Sequence, residues 1–202
     1  QDMVDRVNEF LFTRDPYAFI DQTSATQKAY HALVFEKEDS LNFLYKMESE
    51  PKGYQYENHV ISGIPKEIAE KLPTADRIGN TYVELLSASV GSGSANFPQD
   101  EDGIIRRAPT AIYFEGPNHV YPSLVMSAVI DILGIKKDGG FDYDFENHVL
   151  RLIDTTNTIV REIPIDDHGR MYVNYYGRFK TFYYLPYSYC IDPNLSDYFE
   201  EI

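Results

Sequence analysis

The sequence predicts an α/β fold of the mixed α+β kind, a single domain over residues 1–202, with a mixed β-sheet in the second half flanked by helices and a more helical first half. Three observations carry this expectation. Hydrophobic residues make up 43% of the 202 positions, enough for a sizeable core. Short β-rich segments separated by turn signals crowd the stretch from 91 to 185. Between Pro122 and Gly134, Leu124, Ala128 and Ile132 form one row and Val125, Val129 and Leu133 the next, the broad apolar face of a helix lying on a sheet. No internal repeat or long linker divides the chain.

Taken in order, Val4, Val7 and Leu11 at helical spacing, with Phe10 beside them, predict a short amphipathic helix over 3–13, ended at Asp15-Pro16. The polar run Asp21 to Gln27 reads either as a mobile loop or as a junction where residues are missing. Asp39 or Ser40 caps a second helix running to Glu50 and stopped by Pro51-Lys52-Gly53. Ile64 to Pro73, with Pro near both margins and Ile68/Leu72 at i, i+4, predicts a helix of three turns or fewer. Tyr82 to Ala88 is a buried helix or strand, which periodicity does not separate. Residues 91–97 and 104–114 read as a hairpin around Asp102-Gly103, Gly116-Pro117-Asn118 as a turn, and 122–133 as the helix above. Strands follow at 147–153 and 158–165. Asp166-Asp167-His168-Gly169 is a turn returning through 171–175, another strand covers 180–185, and Pro186 opens a final helical turn.

A formal charge of −14 and a pI near 4.7 oppose binding to nucleic-acid phosphates or an anionic membrane surface. No run of about 18 apolar residues crosses a bilayer, and Gln1 to Asp5 is not a signal peptide; a start at Gln1 and an end at Glu200-Glu201-Ile202 without a closing turn signal lead to the expectation that the chain is a fragment. Cys190 has no Cys partner and no His at ligand spacing; it reads as a buried, inert thiol. Neither compartment nor redox state follows from it.

The candidate chemistry is sparse. Asp100, Asp102 and Gly103 resemble part of a calcium loop, but the EF-hand frame puts Pro98 at position one and Pro109 at position twelve, where neither supplies a ligand. A solvated acidic turn is the alternative. Gly91-Ser92-Gly93-Ser94 lacks the Gly-Lys-Ser/Thr of a phosphate loop, and small residues allowing close backbone packing explain it better. His31, His59, His119, His148 and His168 show no metal or triad spacing and read as surface or turn residues. Arg106-Arg107 either grips a carboxylate or phosphate or pairs with Asp100, Asp102 or Glu115; strand alternation sends the two side chains to opposite faces. The aromatic C-terminal part, from Tyr172 to Tyr189, forms a stacking pocket, a dimer surface or simply core and sheet-face packing. Arg106, Arg107, Tyr175 and Arg178 are the candidate ligand contacts; no catalytic set, metal site or cofactor is expected.

One resemblance adds to this. Leu85 to Gly91, leading into Ala95-Asn96-Phe97-Pro98-x-Asp100-x-Asp102-Gly103-Ile104-Ile105-Arg106-Arg107-Ala108-Pro109 and then Pro122-Ser123-Leu124, is similar to the signature of the second type of CHASE sensory domain. Ile163-Pro164-Ile165-Asp166-Asp167-His168-Gly169, then Val173-Asn174-Tyr175-Tyr176-Gly177 and Phe182, resemble that family's later segment, so the likeness spans roughly residues 85 to 192. The family's opening Trp-Pro-x-x-Arg and closing Thr-Pro are not visible. The resemblance implies a non-catalytic, extracytoplasmic (periplasmic or extracellular) ligand- or stimulus-sensing domain of a bacterial membrane receptor. It further implies anchoring by flanking transmembrane segments and control of a cytoplasmic adenylate or guanylate cyclase, histidine kinase or serine/threonine kinase. A homodimer and an unidentified small-molecule or environmental stimulus are the expected partners. The alternative reading, from abundant Tyr and carboxylates, is a secreted carbohydrate-active enzyme or carbohydrate-binding module.

Overall fold

In the computed structural model of the chain, residues 16–37, 59–78 and 83–177 are described. The expected helices at 3–13 and 40–50, the strand at 180–185, the turn at Pro186 and Cys190 lie outside them. The elements in chain order are α1 (Pro16–Thr26), β1 (Tyr30–Leu33), β2 (Phe35–Glu36), α2 (Lys66–Ala69), β3 (Thr74–Ala75), β4 (Arg77–Ile78), α3 (Val83–Ala88), β5 (Gly91–Ser94), β6 (Arg107–Pro109), β7 (Ala111–Phe114), β8 (His119–Pro122), α4 (Leu124–Leu133), β9 (Phe141–Asp144), β10 (Val149–Ile153), β11 (Ile159–Pro164) and β12 (Arg170–Tyr172). Helices and strands together make a mixed α+β fold. The strands form several small sheets, of which β3–β7–β8 is mixed, with β3 parallel and β8 antiparallel to β7.

The β3–β7–β8 sheet is the layer on which the rest is built. Every residue of β7 is buried, because alternate side chains enter two different cores. Ala111, Tyr113 and Val120 face one core with Leu72, Met126, Ile130, Phe141, Tyr143, Leu150 and Leu152. Ile112, Phe114 and Tyr121 face the other with Leu33, Phe35, Ala75, Ile78 and Leu86. There Phe35 lies 5.2 Å from Tyr121 and 6.1 Å from Phe114, ring centre to ring centre, in tilted and edge-on contacts.

Helix α4 follows its sequence signals closely. Ser123, in extended conformation, accepts a hydrogen bond from the Met126 amide, and Gly134 closes the helix in the left-handed region at φ 64°. Beneath it, Gly91 and Gly93 have the role expected of small residues. A Cβ on Gly93 would stand 2.6 Å from the Ser123 carbonyl carbon and oxygen, and one on Gly91 would stand 2.6 Å from Ser127 Oγ. The N-terminal end of the helix therefore meets β5 backbone directly at Gly93 and through only the small Ser127 hydroxyl at Gly91.

The expected hairpin between 91–97 and 104–114 does not form. Strand β5 pairs in parallel with β1, Tyr30 opposite Gly91 and Leu33 opposite Ser94. The 104–114 segment begins as loop and splits at Thr110 into β6, which pairs with β12, and β7, which pairs with β8 and β3. Asn96 explains the change of direction: it accepts from the Phe35 amide at 2.8 Å and donates to the Phe35 carbonyl at 2.7 Å, holding the chain after β5 along β2. The polar run 21–27 is also corrected. Through Thr26 it belongs to helix α1, opened by Pro16, whose fixed φ suits a first helical turn. Tyr82–Ala88 resolves to a helix over Val83–Ala88.

Candidate functional site: a cleft and an alternating charge chain

Three segments remote in sequence meet around a cleft of about 630 Å³. The segment after α2 and the start of β3 supply Glu70, Lys71, Leu72, Pro73 and Thr74. The β9–β10 turn supplies Phe145 and Glu146, and the turn before β12 supplies Asp167 and His168. Aromatic rings form the floor: Phe145 stacks on Tyr143 at 5.8 Å with the rings 13° apart, and the Lys71 ammonium stands 5.0 Å over the Phe145 ring. Under that floor Tyr143 Oη and Thr110 Oγ1 are 2.9 Å apart, and Thr110 Oγ1 donates to the Gly169 carbonyl at 2.6 Å. Burial pushes the Tyr143 phenol well above its ordinary range, with the Thr110 bond acting in the other direction. Gly169 sits at φ 67°, and a Cβ there would overlap Leu72, so this corner of the cleft requires glycine.

The turn that closes the cleft also carries one end of a chain of charges. Asp166 Oδ1 accepts from the amides of His168 and Arg170, both at 2.9 Å, while Oδ2 accepts from Arg170 Nε at 2.8 Å and Arg107 Nη1 at 3.2 Å. Arg107 Nη2 donates to Asp100 Oδ1 at 2.5 Å. Asp100 Oδ2 lies 3.6 Å from Arg106, and Arg106 clasps Asp102 through two bonds of 2.8 and 2.7 Å. The order is thus Asp102, Arg106, Asp100, Arg107, Asp166, Arg170, three negative and three positive groups in alternation. Burial of Asp166 pushes its carboxyl upward, but the Arg170 and His168 amides and the Arg170 guanidinium outweigh this and hold it below its ordinary value. Asp102 is lowered to about 2, first by the Arg106 bonds and then by the Ile104 amide.

Of the expected ligand contacts, Arg106, Arg107 and Tyr175 are brought together, since Val173 N donates to the Arg106 carbonyl at 2.8 Å and Tyr175 Oη to the Ile105 carbonyl at 2.5 Å. Arg178 lies outside the described residues. The two arginines are not separated onto opposite faces: Arg106 precedes the strand, so alternation does not apply to it, and both reach Asp100. Asp100 and Asp102 were visible partners in the sequence; Asp166, 59 residues from Arg107, was not, and Glu115 pairs with Lys37 instead. None of these three candidates lines the cleft, whose residues carried no shared sequence signal. His59 corrects the surface reading of the histidines: it is buried, and desolvation followed by the nearby Lys137 lowers its pKa.

A second arginine gathers carboxylates on the β9–β10–β11 sheet. Arg151 meets Asp142 at 3.2 Å, Asp144 at 3.0 Å and Glu162 at 3.3 Å. Asp144 is lowered to about 2, chiefly by the Asn147 side chain and amide and then by Arg151. Among the described residues, no group of three or more His, Cys, Asp or Glu side chains could hold a metal ion, and no helix is long and apolar enough to cross a membrane.

The cleft is open, mostly apolar with a rim of charged side chains, and assembled largely from connecting segments, where binding residues commonly sit. The chain belongs to the CHASE2 domain family, whose model matches residues 17–200. CHASE2 domains are extracellular sensory domains of signalling receptors. Comparison with curated proteins and with solved structures returned no match.

Proposed function

We propose that this chain is the extracytoplasmic, non-catalytic sensor of a bacterial membrane receptor, anchored through flanking segments, and that a small molecule in the 630 Å³ cleft regulates a cytoplasmic adenylate or guanylate cyclase or a histidine kinase. The observation that carries the ligand reading is the cleft itself, within the usual size of small-molecule sites and floored by a ring stack. Glu70, Glu146 and Asp167 outnumber Lys71 on its walls, which favours a ligand bearing amine or hydroxyl donors. A thermal-shift screen of amines, sugars, small anions and peptides tests it. A ligand at about a hundred times its Kd raises Tm by about 5–10 °C, and Phe145→Ala removes the shift. A screen in which no compound moves Tm by more than about 1 °C refutes small-molecule sensing in the cleft.

An anionic stimulus is the second reading, with Arg106, Arg107, Tyr175 and Arg178 as its contacts. Its support is that the outermost guanidinium, Arg106, is 46% exposed beside the exposed Tyr175. Exposed Tyr172, Tyr175 and Tyr176 likewise support the homodimer, which sedimentation of the purified chain tests. The carbohydrate-active or carbohydrate-binding alternative draws on the Phe145 ring beside Glu146 and Glu70; glycan hydrolysis lost on a single carboxylate substitution would overturn the sensory reading.

A further inference from the structure

We infer that the turn Asp166–Gly169 is the relay by which occupancy of the cleft is read, an inference that rests on the cleft being the sensing site. The turn has two sides. Asp167 and His168 line the cleft, whereas Asp166 and Gly169 hold the β6–β12 pair: Asp166 through Arg107 and Arg170, and Gly169 through its carbonyl, which accepts from both the amide and the hydroxyl of Thr110. The four residues form one tight unit, with the Gly169 amide bonded to the Asp166 carbonyl at 3.0 Å and the Asp166 amide to the Arg170 carbonyl at 2.9 Å. A ligand that displaces Asp167 or His168 therefore displaces Asp166 with them.

The element with two arrangements is the charge chain. Arg107 is shared between Asp100 at 2.5 Å and Asp166 at 3.2 Å, so the Asp166 contact is the longer and the first to part. Parting leaves no buried charge alone, because Asp100 keeps Arg107 and Asp166 keeps Arg170. The pairing redistributes between discrete partners, which is what a switch requires. Its readout is the segment after β12, held to the residues before β6 by Val173 N to Arg106 O and Tyr175 Oη to Ile105 O. The relay thus runs from cleft to turn, from turn to Arg107, and from Arg107 to residues 173–177.

A tethered probe tests this without knowledge of the natural ligand. In the 202-residue chain with Cys190→Ser, Glu146→Cys on the cleft wall is labelled with N-phenylmaleimide. Gly116→Cys, where a side chain meets nothing within 4 Å, carries the same label as control. Hydrogen–deuterium exchange is then followed at the Thr110 and Val173 amides, whose bonds cross from turn to β6 and from β12 to the loop before β6. The cleft label accelerates both by about tenfold and the control label by less than about twofold. In an Asp166→Asn background, or in Arg107→Lys if the first does not fold, the label adds no further change. Unchanged exchange at Thr110 and Val173 on cleft labelling overturns the relay, as does an undiminished response in the Asp166→Asn or Arg107→Lys background. A response to the label in a domain that no screened compound stabilises supports the relay and counts against the ligand reading alone.

Discussion

Two arginine clusters on this domain use the same chemistry to different ends. Arg151 binds three carboxylates on strands of one antiparallel meander, none more than 11 residues away, and two of its partners, Asp142 and Glu162, are over half exposed. Arg107 binds Asp100 and Asp166, 7 and 59 residues away and 12% and 14% exposed, and so ties an early loop to a late turn. The difference shows that what an ion pair does is set by the span it closes and the water it excludes. Arg151 dresses a sheet already closed by backbone pairing with β9 and β11. Arg107 stands where the β6–β12 pairing is three residues long and needs support.

The strongest way to break this contrast is Asp166→Ala, which removes the acceptor of two backbone amides and of two guanidinium groups at once. It should cost about 2 kcal/mol in urea unfolding at pH 7. A loss no larger than that of an Arg151 variant would erase the distinction. Next is Thr110→Val, which keeps the shape but strips the buried hydroxyl from Tyr143 and Gly169; about 1–2 kcal/mol is expected in the same assay.

Acid sharpens the comparison further. Asp102 and Asp144, one in each cluster, are both lowered from 3.8 to about 2. A depressed carboxyl contributes stability that is fully present above its unfolded value and is lost as pH falls through its folded value. The loss therefore falls between about pH 4 and 2. Asp166, lowered as well, adds to it. Stability measured across that window should fall less steeply in Asp102→Asn and in Asp166→Asn than in the parent. The smallest effect is Arg151→Gln: a change in Tm of no more than about 2 °C, erased by 0.5 M salt.

How much of this was legible in the sequence depended on range. Helix α4 announces itself through Ser123, two apolar rows and Gly134, all within its own length. The turns at Asp102-Gly103, Asn118 and Gly169 are equally local, and all three positions take positive φ. The partner of β5 is not local. Gly91–Ser94 has no side-chain pattern to match against a neighbour, and its parallel partner Tyr30–Leu33 lies about sixty residues away. The site divides the same way. Asp100 and Asp102 stand next to the arginines they bind, whereas Asp166 comes near only because β12 pairs with β6. The cleft draws on 70–74, 145–146 and 167–168, segments joined by tertiary packing alone. His59 reads as a surface residue in the sequence because burial depends on what the rest of the chain puts over it.

The bare glycine backbone of β5 gives the domain a fixed datum. Helix α4 packs Met126 and Ile130 into the core, and its N-terminal end also meets β5 directly: the Ser123 carbonyl and Leu124 amide crowd the place where a Cβ on Gly93 would be, and Ser127 Oγ the place of one on Gly91. It is effectively clamped to β5, and through the β1–β5 pairing to Tyr30, whose hydroxyl donates to Asp131 on the same helix at 2.8 Å. Distances from a label on α4 to one on β1 are therefore expected to stay constant when the cleft is filled, while those to the Asp166–Gly169 turn change.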